Sequence, residues 1–197
     1  MEALAFMRMF KPMDDREQTL IHSTLRDALN DPGAPVRAAA LRVLASAGDP
    51  VAVDLLGRHL NDDGARVLDL ASTVHLLANA VDTESLAQIR SLLQHEDNAA
   101  RLAAISHLGS DPVSWVPLRA ILKDPEESYE IRSAAAGSLL YHDKEFAETA
   151  LSLVEDEATP NRLKSRLRRA LKKHSSELNP TGLSREQLDD IRAELKD

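Results

Sequence analysis

Cysteine is missing from all 197 residues of the sequence, and aromatic residues make up only 3% of it. Without cysteine there can be no disulfide framework, no thiol nucleophile and no cysteine-based zinc site. Valine and isoleucine do not form alternating runs, so the sequence offers little support for β-strands. The periodic segments are rich in alanine, leucine, arginine and glutamate, which are good helix formers. The composition therefore predicts an all-α protein.

Positive charge is also in short supply, since 32 acidic residues outweigh 24 basic ones and leave a formal net charge of −8. This balance argues against a general affinity for nucleic acid or anionic membranes, because such binding needs a basic surface. No apolar run is long enough to span a bilayer. The first ten residues lack the basic region and the small-residue cleavage site of a signal peptide. We therefore expect a cytoplasmic protein with neither a membrane nor a nucleic-acid partner.

A faint repeat of about thirty residues runs through the chain, which is the usual mark of stacked helix pairs. Single arginines stand near the start of successive helical patterns, and aspartates mark the turn inside each unit. The arginines are Arg37, Arg66, Arg101, Arg132 and Arg162, and the aspartates are Asp49, Asp82, Asp111 and Asp143. We interpret both series as structural. The arginines are expected to bond carboxylates or carbonyls in loops, and the aspartates to cap the following helices.

Short polar breaks predict where the helices begin and end. A first helix covers 14–29, and a second begins at Pro35. Gly48 then ends the second helix, Asp49 caps the next one and Pro50 occupies its first position. A further helix is predicted over 65–79. The expected buried stripe of the second helix is Val36, Ala40, Val43, Leu44 and Ala47.

No internal boundary is visible in the sequence, so we predict one domain over 1–197. Residues 1–30 form an N-terminal segment and capping helix, 31–174 carry the repeats, and 184–196 form a C-terminal capping helix. The N-terminal segment exposes apolar residues that water disfavours, namely Phe6, Met7, Met9, Phe10 and Met13. We favour a lid over the first repeat. Docking to a partner or to a second subunit, which would give a homodimer, is the alternative.

A recurring order of motifs connects the chain with a known family. An Asp-Pro break is followed by a hydrophobic residue with arginine, an alanine-rich helix and a Gly-Asp-Pro turn. The clearest copy is Asp31-Pro32, Val36-Arg37-Ala38-Ala39-Ala40-Leu41 and Gly48-Asp49-Pro50. The pattern resembles HEAT-like repeats of the phycobilisome-lyase type and covers 14–174. The resemblance implies an α–α superhelix, or solenoid, of about five HEAT-like helix pairs. Proteins with such repeats include bilin lyases, other enzymes and many scaffolds, so it implies little about function.

No pattern of catalytic or metal-ligating residues stands out. The histidines never occur three or four residues apart, which a metal site on one helix would need. Only His95-Glu96 matches the His-Glu pairs of HEAT-like di-iron hydroxylases, and no phosphate loop, nucleophile elbow or zinc signature is present. We therefore predict no catalytic residue, no metal and no cofactor, and favour a non-enzymatic protein. The alternative is a bilin-lyase-like protein or another HEAT-repeat enzyme subunit, which would need a partner subunit or a bound tetrapyrrole.

The segment 160–174 departs most strongly from the acidic balance, because it carries seven cations and no acid. Its cations are Arg162, Lys164, Arg166, Arg168, Arg169, Lys172 and Lys173, and its predicted buried stripe is Leu163, Leu167, Ala170 and Leu171. One interpretation is an electropositive patch for an acidic protein, a phosphate-bearing ligand or nucleic acid. The other is that the acidic helix 184–196 packs nearby and neutralises the cations, which the helix dipole already favours toward the C-terminus.

Trp115 is the only tryptophan, and Pro117 follows it closely. Proline suits the start of a helix but not its interior, so the helix is expected to start late or to kink, with Ser114 as an alternative cap. Trp115 then either fills the core, which we favour, or lies partly exposed as an interface anchor.

Together these features predict a protein–protein interaction scaffold or adaptor. The partner, for which an acidic protein is the leading candidate, would bind the concave face of the solenoid or the basic helix. In the family resembled, the second helices line the concave face, which makes Arg58 and Arg119 candidates. The full set of candidate binding residues is Arg162, Lys164, Arg168, Arg169, Lys172, Trp115, Arg58 and Arg119.

Overall fold

The computed structural model describes residues 15–61, 67–80 and 82–177. Within these ranges the chain forms α-helices and short 3₁₀ segments and contains no strand, which confirms the all-α prediction. The predicted N-terminal lid and the predicted helix 184–196 lie outside the described residues. The chain divides into two compact units, Met1–Asp69 and Leu70–Asp197.

The first unit contains three described helices, α1 (Asp15–Ala28), α2 (Ala34–Ser46) and α3 (Pro50–Asn61). Helix α2 packs against both α1 and α3. Leu41 and Leu44 from α2 and Leu56 from α3 are completely buried. Each such leucine contributes about 1.5–3 kcal/mol relative to an exposed position.

The buried face of α2 differs from the predicted stripe. Val36 is 45% exposed and Val43 is 53% exposed, whereas Leu41 and Ala45 are buried together with Leu44. Alanine and other apolar residues occur on every side of this helix. The pattern of apolar residues therefore marked a helix without identifying its buried side, which the packing of α1 and α3 decides.

The turn from α2 to α3 follows the sequence prediction. Gly48 adopts a φ of 72°, a left-handed conformation that residues with a side chain rarely adopt. The backbone N–H of Asp49 then donates to the carbonyl of Leu44 at 2.9 Å. The Asp49 carboxylate accepts from the N–H of Val51 at 3.0 Å, which confirms its capping role.

The second unit contains seven described α-helices. They are α4 (Leu70–Leu77), α5 (Thr83–Ser91), α6 (Asn98–His107), α7 (Trp115–Lys123), α8 (Tyr129–Leu139), α9 (Phe146–Glu155) and α10 (Asn161–Glu177). Short 3₁₀ turns cover Ala78–Ala80, Leu92–Gln94, Leu108–Ser110 and Pro112–Ser114. Helix α4 begins at Leu70, later than the predicted start at 65, since residues 67 and 68 form a bend in which Leu68 is buried outside any helix.

The packing in the second unit follows a regular succession. Alternate helices contact one another in the order α4, α6, α8, α10, while α7 packs on α8 and α9 packs on α10. Helices α6 and α8, which pack on one another, each carry a completely buried alanine, Ala104 and Ala135, and such small side chains allow backbones to approach closely. Among the described residues, Phe146 at the start of α9 is the largest fully buried side chain. Most of this core is aliphatic, as the shortage of aromatic residues requires.

Candidate functional site

The basic helix predicted over 160–174 is α10. Pro160 precedes it, which suits a helix start because proline supplies the backbone φ and has no N–H to satisfy. The predicted stripe of Leu163, Leu167, Ala170 and Leu171 is buried, each of these residues being at most 3% exposed. This stripe faces α8 and α9, against which the helix packs. The cations therefore occupy the remaining circumference, as predicted.

Two of the cations are held by α8. The Arg162 guanidinium lies 3.7 Å from the centroid of the Tyr129 ring and 3.3 Å from the Glu130 carboxylate. Arg166 donates from Nε to the Ser133 hydroxyl at 3.3 Å. These contacts are partly exposed, and each is worth no more than about 1 kcal/mol. These weak contacts orient α10 on α8 and compensate only a small part of its positive charge.

Three further cations of α10 lie off its buried stripe. Lys164 is half-buried, and Arg168 and Arg169 are exposed. None of the three makes an ion pair with an acid in the part of the chain that the structure describes. Lys172 is exposed on the same helix, and the Lys173 ammonium lies 5.0 Å from the centroid of the Tyr141 ring. We call the set Lys164, Arg168, Arg169 and Lys172 the basic face. The acidic segment 184–196, which would neutralise it in the alternative interpretation, lies outside the described residues.

Trp115 begins α7, and Pro117 falls within the first turn of that helix, where its missing N–H is not required. The late helix start is therefore confirmed. Ser114, the alternative cap, occupies the N-cap position of α7, but its hydroxyl donates to the Asp111 carboxylate and makes no capping bond. Trp115 is half-buried, and its indole N–H donates to the Gly109 carbonyl at 2.8 Å. That bond gives the side chain a structural role, and its use as an interface anchor stays a prediction.

The two arginines predicted to line a concave face have different surroundings. Arg58 is 67% exposed and pairs with Asp54 one turn earlier on α3. Arg119 is only 14% exposed and pairs with Asp143 at 2.6 Å and with Glu145 at 3.1 Å. These contacts occupy the Arg119 guanidinium within the fold. The binding roles of both residues stay predictions.

The arginines near helix starts mostly bond backbone carbonyls, as interpreted from the sequence. Arg37 donates to the Asp31 carbonyl at 2.7 Å, Arg101 to the Leu93 carbonyl at 3.0 Å and Arg132 to the Leu122 carbonyl at 2.9 Å. Arg101 also pairs with Glu127. Arg66 lies outside the described residues. This series serves the fold, because it joins each helix start to the chain that precedes it.

A second arginine series was missed by the sequence reasoning. Each member lies on the second α-helix before a turn aspartate and bonds that aspartate, whose carboxylate also accepts from the backbone N–H two residues further on. The predicted capping role is wrong for Asp143, because Glu145 occupies the N-cap position of α9. The pairs are Arg26–Asp49 at 2.8 Å, Arg90–Asp111 at 2.9 Å and Arg119–Asp143 at 2.6 Å. They span 23, 21 and 24 residues of sequence. This near-constant separation could have been found in the sequence, because an arginine stands at nearly the same distance before each of these three aspartates.

Asp49 illustrates the electrostatics of these turns. Burial by itself would raise the pKa of its carboxyl. The hydrogen bonds from Arg26 and from the backbone N–H groups of Ala52 and Val51 outweigh burial, and the net pKa lies below the ordinary value of 3.8. The charged form is therefore favoured by folding.

This shift predicts a pH-dependent effect of Asp49→Asn on stability. In the unfolded chain Asp49 takes up a proton near its ordinary pKa, so its contribution is complete above that value and is lost as pH falls through the lower pKa of the folded state. Asparagine keeps the capping oxygen but loses the charge. The variant is expected to be about 1 kcal/mol less stable near neutral pH, with a difference in stability that narrows as pH falls below the ordinary pKa of 3.8. Urea unfolding at several pH values measures this difference, and a difference independent of pH would contradict the prediction.

A pair of histidines was also missed. Nδ1 of His75 on α4 and Nε2 of His107 on α6 lie 2.7 Å apart, and the rings meet edge to face with centroids separated by 5.0 Å. Burial lowers the pKa of His107, and the nearby His75 lowers it further. A search of single helices could not find this pair, because its members are 32 residues apart. The repeat period was the available signal.

His107 also lines an open cavity of about 530 Å³. The other lining residues are mostly small or carry hydroxyl groups, and no acid is among them: Ser106, Gly109, Ser110, Ala134, Gly137, Ser138, Tyr141 and His142. Within the described ranges no group of three or more histidine, aspartate or glutamate side chains is arranged to hold a metal ion.

The described residues thus define an all-helical protein with a basic helix and a paired-histidine site. Comparison with models of known protein families found no match, and comparison with curated proteins also found none. No helix in the described part of the chain is both long and apolar enough to cross a membrane. The resemblance to HEAT-like repeats rests on the motifs quoted above and stays a prediction.

Proposed function

We propose that this chain is a HEAT-like repeat protein that acts as a scaffold and binds an acidic protein through the basic face of α10. The regular succession of α4, α6, α8 and α10 supports the repeat assignment. The recurring aspartate caps support it as well, since Asp49, Asp82 and Asp111 each accept from backbone N–H groups at corresponding turns. Such repeats provide extended surfaces for binding other proteins.

The observation that carries the proposal is the concentration of uncompensated positive charge on one helix of an acidic chain. Lys164, Arg168 and Arg169 have no acidic partner among the described residues, although the whole sequence carries a net charge of −8. Lysine and arginine on a rigid helix are well placed to attract carboxylates. The rest of the chain is acidic and repels an acidic partner. This repulsion confines the contact to α10 and selects the orientation in which the partner binds.

The same charge balance favours a protein over nucleic acid. Binding to a nucleic-acid backbone is strengthened by every neutralised phosphate and weakened by nearby carboxylates. A folded acidic protein presents fewer negative charges, over a smaller area, than a nucleic acid does. The four cations of the basic face are enough to contact such an acidic surface. The cysteine-free sequence fits the reducing cytoplasm that we propose as its location.

The test is affinity purification from the native host with two charge-matched triple variants. The first combines Lys164→Glu, Arg168→Glu and Arg169→Glu. The control combines Arg42→Glu, Lys123→Glu and Lys144→Glu, which are exposed cations on other elements. Both variants change the net charge by the same amount, so a difference between them reports the position of the charge. We expect one stoichiometric acidic partner with the wild type and the control, and its loss with the α10 variant.

The partner is then purified and its affinity is measured by calorimetry at low and high ionic strength. Affinity should fall as salt screens the charges. Failure to recover a partner, equal loss with both triple variants, or binding unaffected by the α10 substitutions would each overturn the proposal.

A further inference from the structure

Two imidazole nitrogens in the second unit face one another at hydrogen-bond distance, close enough for a single metal ion to bind both after a small separation. His75 Nδ1 and His107 Nε2 lie 2.7 Å apart, with the ring planes inclined at 72°. In the part of the chain that the structure describes, neither ring makes an ion pair with a carboxylate. We propose that His75 and His107 together bind a divalent transition-metal ion of the Zn²⁺ class, with water in the remaining coordination positions.

The spacing of the nitrogens is close to that of two ligands on one ion. Zinc–imidazole bonds of about 2.0–2.1 Å place two neighbouring ligand nitrogens roughly 2.9 Å apart at a right angle and about 3.4 Å apart in a tetrahedron. The observed 2.7 Å therefore requires the rings to separate by only a fraction of an ångström. Without a metal, one nitrogen donates its N–H to the lone pair of the other. With each ring in the tautomer that carries its proton on the far nitrogen, both facing nitrogens offer a lone pair and one metal ion can bind both.

The backbone holds the two histidines at a place that favours a cation. His75 lies in the last turn of α4, and His107 is the last residue of α6. The C-terminal end of a helix carries a partial negative charge, so two such ends stabilise positive charge between them. Because α4 packs directly on α6, the pair is positioned by the aliphatic core and not by a loop. A ligand pair that is already in place loses little conformational entropy on binding.

The surroundings leave room for the rest of a coordination shell. His107 opens onto the cavity of about 530 Å³, whose lining includes hydroxyl groups from Ser106, Ser110 and Tyr141. Imidazole suits zinc, copper and nickel, whereas magnesium and calcium prefer oxygen ligands. With two protein ligands and no third histidine or carboxylate arranged beside them in the described residues, the ion keeps positions open to water or to an incoming donor group.

Calorimetric titration of ZnCl₂ into the EDTA-treated, untagged full-length chain tests the proposal. We expect one equivalent of Zn²⁺ to bind the wild type. His75→Gln and His107→Gln should each weaken this binding by more than about tenfold, since even residues behind the ligands of a metal site cost that much. The matched control is His95→Gln, which removes a half-buried histidine from a turn away from the pair.

A spectroscopic measurement separates loss of the ligand from loss of the fold. Each variant should keep its helical circular dichroism, and NMR of ¹⁵N-labelled imidazoles should show Zn²⁺-dependent shifts at Nδ1 of His75 and Nε2 of His107. Absence of Zn²⁺ binding to the wild type, a loss from His95→Gln as large as from His75→Gln, or shifts confined to other histidines would overturn the proposal.

Discussion

Phe146→Ala is expected to lower the free energy of unfolding of the second unit by about 3–5 kcal/mol, the usual cost of truncating a large buried aromatic side chain. Phe146 is completely buried at the start of α9. Helix α9 packs against α7, α8 and α10, and a core packed in this way relaxes only partly into the space that the ring leaves. Truncation therefore loses both the burial of the ring and its packing contacts.

Urea denaturation followed by circular dichroism measures this loss. Phe146→Leu fills more of the space and should be destabilised less, whereas Val116→Ala removes a side chain that is 66% exposed on α7 and should change stability by less than about 0.5 kcal/mol. If Phe146→Ala and Val116→Ala had the same stability, the position of Phe146 in the core would be wrong.

Gly109→Ala is expected to destabilise the second unit by about 1–3 kcal/mol through overpacking. A Cβ atom at Gly109 would lie 2.5 Å from the Ser138 carbonyl oxygen, which belongs to the backbone of α8. Two hydrogen bonds hold the backbones at Gly109 and Ser138 in place. The Ser138 hydroxyl donates to the Ile105 carbonyl at 2.7 Å, and the Trp115 indole donates to the Gly109 carbonyl at 2.8 Å. Relief of the clash would have to stretch one of them.

Gly137→Ala is the matched control, because Gly137 lines the same cavity. A Cβ atom there would lie 3.4 Å from the Arg166 guanidinium, which ends a flexible side chain and can move. Gly137 is also inside α8, where alanine favours the helix by up to about 1 kcal/mol. Thermal unfolding should therefore show Gly109→Ala melting below the wild type and Gly137→Ala melting at or above it. Equal melting temperatures would refute the close approach of Gly109 to α8.

Helix positions followed from local chemistry and were largely predictable. Asp49 caps α3 because its side chain reaches the N–H groups of the next turn, and Gly48 precedes it because the chain there needs a positive φ. The same applies to the late start of α7 at Trp115, which proline in its first turn permits. Each of these decisions depends on residues only a few positions apart.

The candidate site was predictable in part. The buried stripe of α10 could be read from the spacing of Leu163, Leu167 and Leu171, and the basic face follows from what remains. The histidine pair could not be found in the same way, because His75 and His107 belong to different helices. Only the packing of α4 on α6 brings their nitrogens together.

The sequence by itself determined that the described chain is helical, where most of its turns fall, and that one helix carries unusual positive charge. The tertiary structure decided which side of α2 is buried, since apolar residues surround that helix and leave Val43 53% exposed. It also decided that Arg119 bonds Asp143 and that His75 meets His107. Local backbone and capping preferences act over a few residues, whereas these contacts depend on the angle and distance at which distant helices pack.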